Sequence, residues 1–161
     1  NLIVDEGEGF RHIESCLPQI LLCLSAEALG IMEVLNKLTV EYSKTRKQFG
    51  APIGSFQALQ HRMVDNFMAF EQSKSMVYRG ICESTSFNKN DIDINQFLKT
   101  AHAVKALIAK NSKQIGDESI QIHGGIGMTD ELNIGHFVKR LMMINVLFGD
   151  GDFHRQCFSQ N

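Results

Sequence analysis

The chain has 161 residues, 43% apolar and 21% charged, with 16 Lys+Arg against 18 Asp+Glu. That length suits one compact domain with its own core, and a formal net charge of -2 lacks the basic excess of a nucleic-acid binder. Two prolines and 13 glycines exclude low-complexity and collagen-like sequence, and without an uninterrupted apolar run of roughly 20 residues no membrane span is expected.

Four segments carry helical periodicity, and none shows sustained alternation. The first runs from about 9 to 47, with a stripe of Ile13, Leu17, Ile20, Leu24, Ala28, Ile31, Leu35, Leu38 and Tyr42, and Pro18 as a kink or restart. Gly50, Pro52 and Gly54 break it. The second carries Ile53, Phe56, Leu59, Met63, Phe67, Phe70, Val77 and Ile81, with Ser55 placed to cap it, and dissolves over the polar stretch 84–93. A third helix is expected over 94–122, with Phe97, Ala101, Val104, Ile108, Ile115 and Ile122 inward. Three glycines within Gly124-Gly125-Ile126-Gly127 end it. Thr129-Asp130-Glu131 reads as the cap and acidic first turn of a fourth helix, whose stripe is Phe137, Leu141, Ile144 and Leu147. Gly149 and Gly151 precede a short final helix from about Asp152. The expected fold is all-α, an antiparallel four-helix bundle with a short extra C-terminal helix.

Cys16, Cys23, Cys82 and Cys157 match no zinc spacing and read as buried thiols of a reducing compartment. His12, His61, His102 and His136 are scattered singly, with surface or capping roles as the default, and the methionines and phenylalanines are assigned to the core. No metal site is expected. No secretory leader is visible, and a start at Asn1 points to a processed protein or a piece of a longer one.

Three clusters depart from ordinary bundle surface. Arg46-Lys47-Gln48-Phe49-Gly50, Pro52-Ile53 and Phe56-Gln57 place a cation, an amide and rings at a helix end, where an arginine also complements the helix dipole. Gln121-Ile122-His123-Gly124-Gly125-Ile126-Gly127 is an interhelix turn, or backbone bared for a phosphate. Phe148-Gly149-Asp150-Gly151-Asp152-Phe153-His154-Arg155 is acid–base machinery or a set of metal ligands, or else a turn with a helix cap, the commoner use of such residues.

Taken together, Arg-x-x-Phe-Gly-x-Pro-Ile with Phe-Gln, then Gln-Ile-His-Gly-Gly-Ile-Gly-Met about seventy residues on, then a glycine turn near the end, resembles the acyl-CoA dehydrogenase family. The resemblance covers residues 1–161 as that family's C-terminal helical domain; the N-terminal helical and middle β domains are absent. It implies FAD as cofactor, an acyl-CoA thioester oxidised to the α,β-enoyl form, and an electron-transferring flavoprotein as acceptor. It further implies a homodimer or homotetramer, or a heteromer, in which one subunit's C-terminal domain covers its neighbour's dinucleotide. Arg46 would reach the FAD pyrophosphate, Phe49, Ile53 and Phe56 would pack on the cofactor, and Gln121, Gly124 and Gly125 would touch its adenosine and diphosphate portion.

The departures bear on catalysis. The family's glutamate turn aligns Phe148 with the base and Asp150 with the following threonine; the alternative position on the first helix falls near Ile20 and Leu21, with no acid. The family's Arg-Asp pair becomes Lys139-Arg140. Either Asp150 substitutes as general base, or the chain is a non-catalytic subunit completing a partner's FAD site. The domain acting purely as an assembly module is a further alternative, and alone it is expected to be colourless. The implied setting is intracellular, the cytoplasm of a bacterium or the mitochondrial matrix.

Overall fold

A computed structural model describes residues 4–160; Asn1, Leu2, Ile3 and Asn161, the ends of the expected domain, lie outside the described residues. The elements are α1 (Gly9–Thr45), β1 (Lys47–Gln48), β2 (Ala51–Pro52), a 3-10 turn (Ile53–Ser55), α2 (Gln57–Asn88), α3 (Ile94–His123), a second 3-10 turn (Gly124–Met128), α4 (Ile134–Val146) and α5 (Gly151–Gln160). The fold is all-α, as its periodicity requires.

α3 is the centre, packed by α1, α2, α4 and α5. All six residues expected inward on α3 are buried, and Phe97, Val104, Ile108 and Ile115 have no exposure at all. Each such side chain contributes roughly 1.5–3 kcal/mol by leaving water. Asp93 caps its start, the carboxylate accepting from the Gln96 N–H at 2.8 Å.

The faces of α1 and α2 differ from expectation. Of the nine residues assigned to the α1 stripe only Ala28 and Leu35 are buried, while Ile13 and Leu38 are exposed. The buried face runs instead through Pro18, Leu21, Leu22, Ser25, Ala28, Met32, Leu35, Thr39 and Ser43. Two of its small polar residues spend their hydroxyls locally, Ser25 donating to the Leu21 carbonyl at 2.7 Å and Ser43 to that of Val40 at 2.7 Å, while the Thr39 hydroxyl is buried without a partner. On α2, Asn66, Ala69, Phe70, Ser73, Val77 and Gly80 are buried, and Phe56, Phe67 and Ile81 are exposed.

Several boundaries move for local reasons. Pro18 lies within a continuous α1. The Ser55 hydroxyl donates to the Pro52 carbonyl at 2.7 Å and so closes a 3-10 turn rather than capping α2. α2 runs on to Asn88, into the stretch expected to be loop. Thr129 bonds back to the Ile126 carbonyl at 2.9 Å, and α4 starts only at Ile134.

Cys16, Cys23 and Cys82 are exposed rather than buried. Met68, Met128, Met142 and Met143, with Phe10, Phe67 and Phe158, are exposed as well; of the methionines only Met32 is in the buried core. α1 is long and apolar enough to cross a bilayer by length and composition alone, so the lack of an uninterrupted apolar run is no exclusion in itself. The same helix contributes a buried face to the core on α3.

Candidate functional site

Arg46 ends α1, its backbone N–H reaching the Tyr42 carbonyl at 2.9 Å while its own carbonyl accepts from Ile53 N–H at 2.8 Å. The chain between closes as a hairpin, Lys47 opposite Pro52 and Gln48 opposite Ala51. Its two turn residues both have left-handed backbone, Phe49 at φ 53 and Gly50 at φ 82, the requirement of a two-residue turn that follows strand twist. Gly50 meets this without strain. Phe49 does not, and it holds its ring 94% exposed, edge-on to Phe56 at 6.2 Å.

Opposite the hairpin, α3 ends at Gly124, whose φ of 64 and ψ of -144 suit only glycine. A Cβ at Gly124 or Gly125 would meet nothing within 4 Å, so the peptide backbone there stands open to close approach. Arg46, Phe49, Ile53 and Phe56 from the first cluster and Gln121, Gly124 and Gly125 from the second line one open cleft of about 370 Å³. The two sequence clusters are therefore brought together in space, although seventy residues of helix separate them.

The cleft is also lined by Tyr42, Arg62 and His123, to which the sequence reading gave no role at the cofactor. Tyr42 stacks on His123 with ring centroids 4.3 Å apart, and the His123 Nδ1 lies 2.8 Å from the Ser119 carbonyl, which fixes that nitrogen as the donor. Arg62 is engaged with Glu118 of α3. Arg46 makes no ion pair with any described carboxylate, so the two arginines differ: one is committed to the fold and one is available. An available guanidinium, bared backbone, an amide and two rings form a donor set that fits an anionic, partly aromatic nucleotide.

Asp150 lies elsewhere, between α4 and α5. Its carboxylate caps α5 by accepting the Phe153 N–H at 2.8 Å, and it lines a separate groove of about 560 Å³ with Ala106, Lys110 and Arg155. Phe148, in the same turn, is left-handed at φ 58 and 52% exposed. Beneath the turn, Lys105 has no exposure and donates to the Ile144 carbonyl at 2.7 Å. His102, expected at the surface, is buried with its Nδ1 2.7 Å from that of His154. Lys139 is exposed, and Arg140 binds Glu27 of α1 through two contacts of 2.6 and 2.8 Å, so this departure from the family pair has a local use in joining α4 to α1.

Comparison with known proteins identifies the family. Residues 7–161 match the family described as acyl-CoA dehydrogenase, C-terminal domain. The short-chain specific acyl-CoA dehydrogenase of Megasphaera elsdenii is 27% identical over 152 residues, covering 94% of this chain and 38% of that protein. Acyl-CoA dehydrogenase IpdE2 of Mycolicibacterium smegmatis is 40% identical over 119 residues, covering 74% of this chain and 34% of that protein. Among solved structures, an acyl-CoA dehydrogenase from Geobacillus kaustophilus superposes with a TM-score of 0.89 at 25% identity, over 99% of this chain and 40% of that one. The chain thus spans between a third and two fifths of the length of these relatives.

Proposed function

The chain belongs to the acyl-CoA dehydrogenase family, residues 7–161 forming its C-terminal domain, and from that premise we propose that it covers the dinucleotide of an FAD-dependent enzyme oxidising acyl-CoA thioesters to α,β-enoyl products. The observation that carries this reading is the meeting of Arg46 with the open backbone of Gly124 and Gly125 across one cleft. The guanidinium presents a planar fork of donors to a diphosphate, the glycines let that diphosphate come close, and Phe49 and Phe56 supply apolar cover. FAD bound there supplies the acceptor for the hydride leaving the acyl β-carbon. The remainder of the enzyme, with an N-terminal helical and a middle β domain, would bring the thioester and most of the isoalloxazine contacts. Its partners in this reading are the acyl-CoA, an electron-transferring flavoprotein and further subunits of a homodimer, homotetramer or heteromer. Relatives named as mitochondrial support a matrix setting in a eukaryote, and bacterial relatives a cytoplasmic one.

For the α-proton, two roles for this chain compete. Asp150 as general base needs its carboxylate turned to the thioester, whereas one oxygen is already spent on capping α5. That observation favours the other role, a non-catalytic subunit that completes the cofactor site of a partner bearing the base. Flavin titration of the protein that carries this chain tests the first claim: Arg46→Gln is expected to weaken FAD about 10- to 100-fold, the scale of a lost charge-assisted contact. Unchanged affinity removes Arg46, and with it the cleft, from the cofactor site. Asp150→Asn separates the two roles, since undiminished enoyl-CoA formation leaves only the partner role.

A further inference from the structure

Three ionisable side chains are enclosed together under the turn that joins α4 to α5. His102 and Lys105 stand one turn apart on α3, at 5% and 0% exposure, and His154, at 0%, faces them from α5. The Nδ1 atoms of the two imidazoles are 2.7 Å apart, a gap with room for a single proton: one ring donates and the other accepts. A further proton cannot share that gap and must go to an Nε2, and that of His154 is buried with no hydrogen-bond partner. Lys105 meanwhile directs its Nζ at the Ile144 carbonyl, 2.7 Å away, and at that of Gly149, 3.4 Å away. These belong to the last turn of α4 and the connection after it, where helical carbonyls lack intrahelical donors.

Charge in reach of the pair is sparse. α3 presents Lys105, the connection presents Asp150, and α4 presents only backbone carbonyls. On the outer side of α5, Asp152 and Arg155 pair with each other at 3.0 Å, both largely exposed, and Lys99 sits over the Phe158 ring. The Phe153 ring closes the remaining side, 5.2 Å from His154 and 6.4 Å from His102. One enclosed cation is tolerated because two carbonyls hold it and Asp150 lies within coulombic reach; a second, beside it, has neither water nor a counter-ion of its own.

We propose that this cluster is a proton-operated latch: with the histidine pair neutral, α5 and the 147–150 turn stay docked on α3, and a proton added to the pair releases them while the α1–α3 core remains folded. Burial first, then the neighbouring His102 and Lys105, push His154 down to about 4, and burial also lowers His102. Released into water, an imidazole titrates near its ordinary value of about 6.5. The open form therefore takes up the proton more readily, and stability of docking falls as pH drops through that window. For one proton the opening constant rises about tenfold per pH unit, or about 300-fold in all, between about 6.5 and about 4. The latch governs where Phe148 and Asp150 stand and is independent of what the nucleotide cleft binds.

Hydrogen exchange read by mass spectrometry, from pH 7.5 to 4 in the protein that carries this chain, tests it. Protection of amides 147–160 is expected to fall about tenfold per pH unit below about 6.5, while that of α3 holds. Slow exchange at the imidazole C2 position reports His154 itself and is expected to show it titrating well below an ordinary histidine. Because that reading needs no substitution, it stands whether or not a variant folds. His154→Gln, with no titratable ring, is expected to flatten the pH dependence. The latch is overturned if His154 titrates as an ordinary histidine, if α3 loses protection together with α5, or if folded His154→Gln keeps the original pH profile.

Discussion

Gly149 gives the sharpest test of how the turn above the latch is built. Its φ of 108 lies outside the small left-handed basin that an L-residue tolerates, so Gly149→Ala meets backbone strain of about 1–3 kcal/mol. A Cβ there would also stand 2.4 Å from Phe153 Cδ1, 3.0 Å from Phe153 Cε1 and 3.2 Å from His154 Nε2. His154 is fully enclosed, while the Phe153 ring, packed on His102 on one side and about half exposed, must be pushed outward, an overpacking cost of about 1–3 kcal/mol. The sum, about 2–6 kcal/mol, corresponds to a fall in melting temperature of about 4–24 °C at this chain length. Urea denaturation of the single variants and of Gly149→Ala/Phe153→Ala separates the two contributions. Removing the Phe153 ring should abolish the steric part and leave the backbone part, a coupling of about 1–3 kcal/mol. A single-variant loss under about 1 kcal/mol refutes the strain argument, and simple additivity refutes the clash.

Asp93→Ala is expected to cost about 1 kcal/mol, because the Gln96 N–H it caps at 2.8 Å has no other partner in the first turn of α3; chemical denaturation reads it directly, and Asp93→Ser should recover most of the loss. Phe49→Asn converts the hairpin turn to Asn-Gly, the pair that turn type prefers. It is expected to raise stability by about 0.5–1 kcal/mol through relief of left-handed strain, while weakening flavin binding measured in parallel.

How much of this was legible varied by helix, for a physical reason. α3 is surrounded on several sides, so its apolar residues have nowhere to point but inward, and the stripe read from the sequence is the stripe observed. α1 and α2 each carry apolar residues on two faces, and the buried face is the one with Ser25, Thr39, Ser43, Asn66 and Ser73, which an apolar template discards. The cleft was legible only because its two clusters together resemble one family, each alone reading equally well as a helix end or an interhelix turn. Its depth was not: Tyr42 looked like core, and His123 like part of a glycine turn. Lys105 did leave a signal, since it falls four after Ala101 and three before Ile108, on the face already assigned inward. A lysine there demands enclosed acceptors, and the end of α4 provides them. Nothing local marked His102 or its pairing with His154, a contact across 52 residues.

The outward rings and the inward charges belong to one pattern. Among the described residues, left-handed backbone outside glycine occurs at Phe49, Asn90 and Phe148. Asn90 accepts that geometry readily; an aromatic residue does not, and both phenylalanines are largely exposed, at 94% and 52%. Strain of this kind persists only where the surroundings enforce it and something else benefits. At Phe49 the hairpin enforces it, and the ring is carried to the rim of the cleft. At Phe148 the enforcement comes from beneath: Lys105 on two carbonyls, Asp150 capping α5, and a glycine wedged against Phe153. Three devices fixing a turn of four residues exceed what joining two helices requires, since α1 and the 3-10 turn at Ile53 are joined through a plain hairpin. The turn at 147–150 is thereby fixed with Phe148 turned outward. A rigid apolar knob in that place suits contact with another surface better than proton abstraction, which is the physical case for a subunit that completes a partner's site.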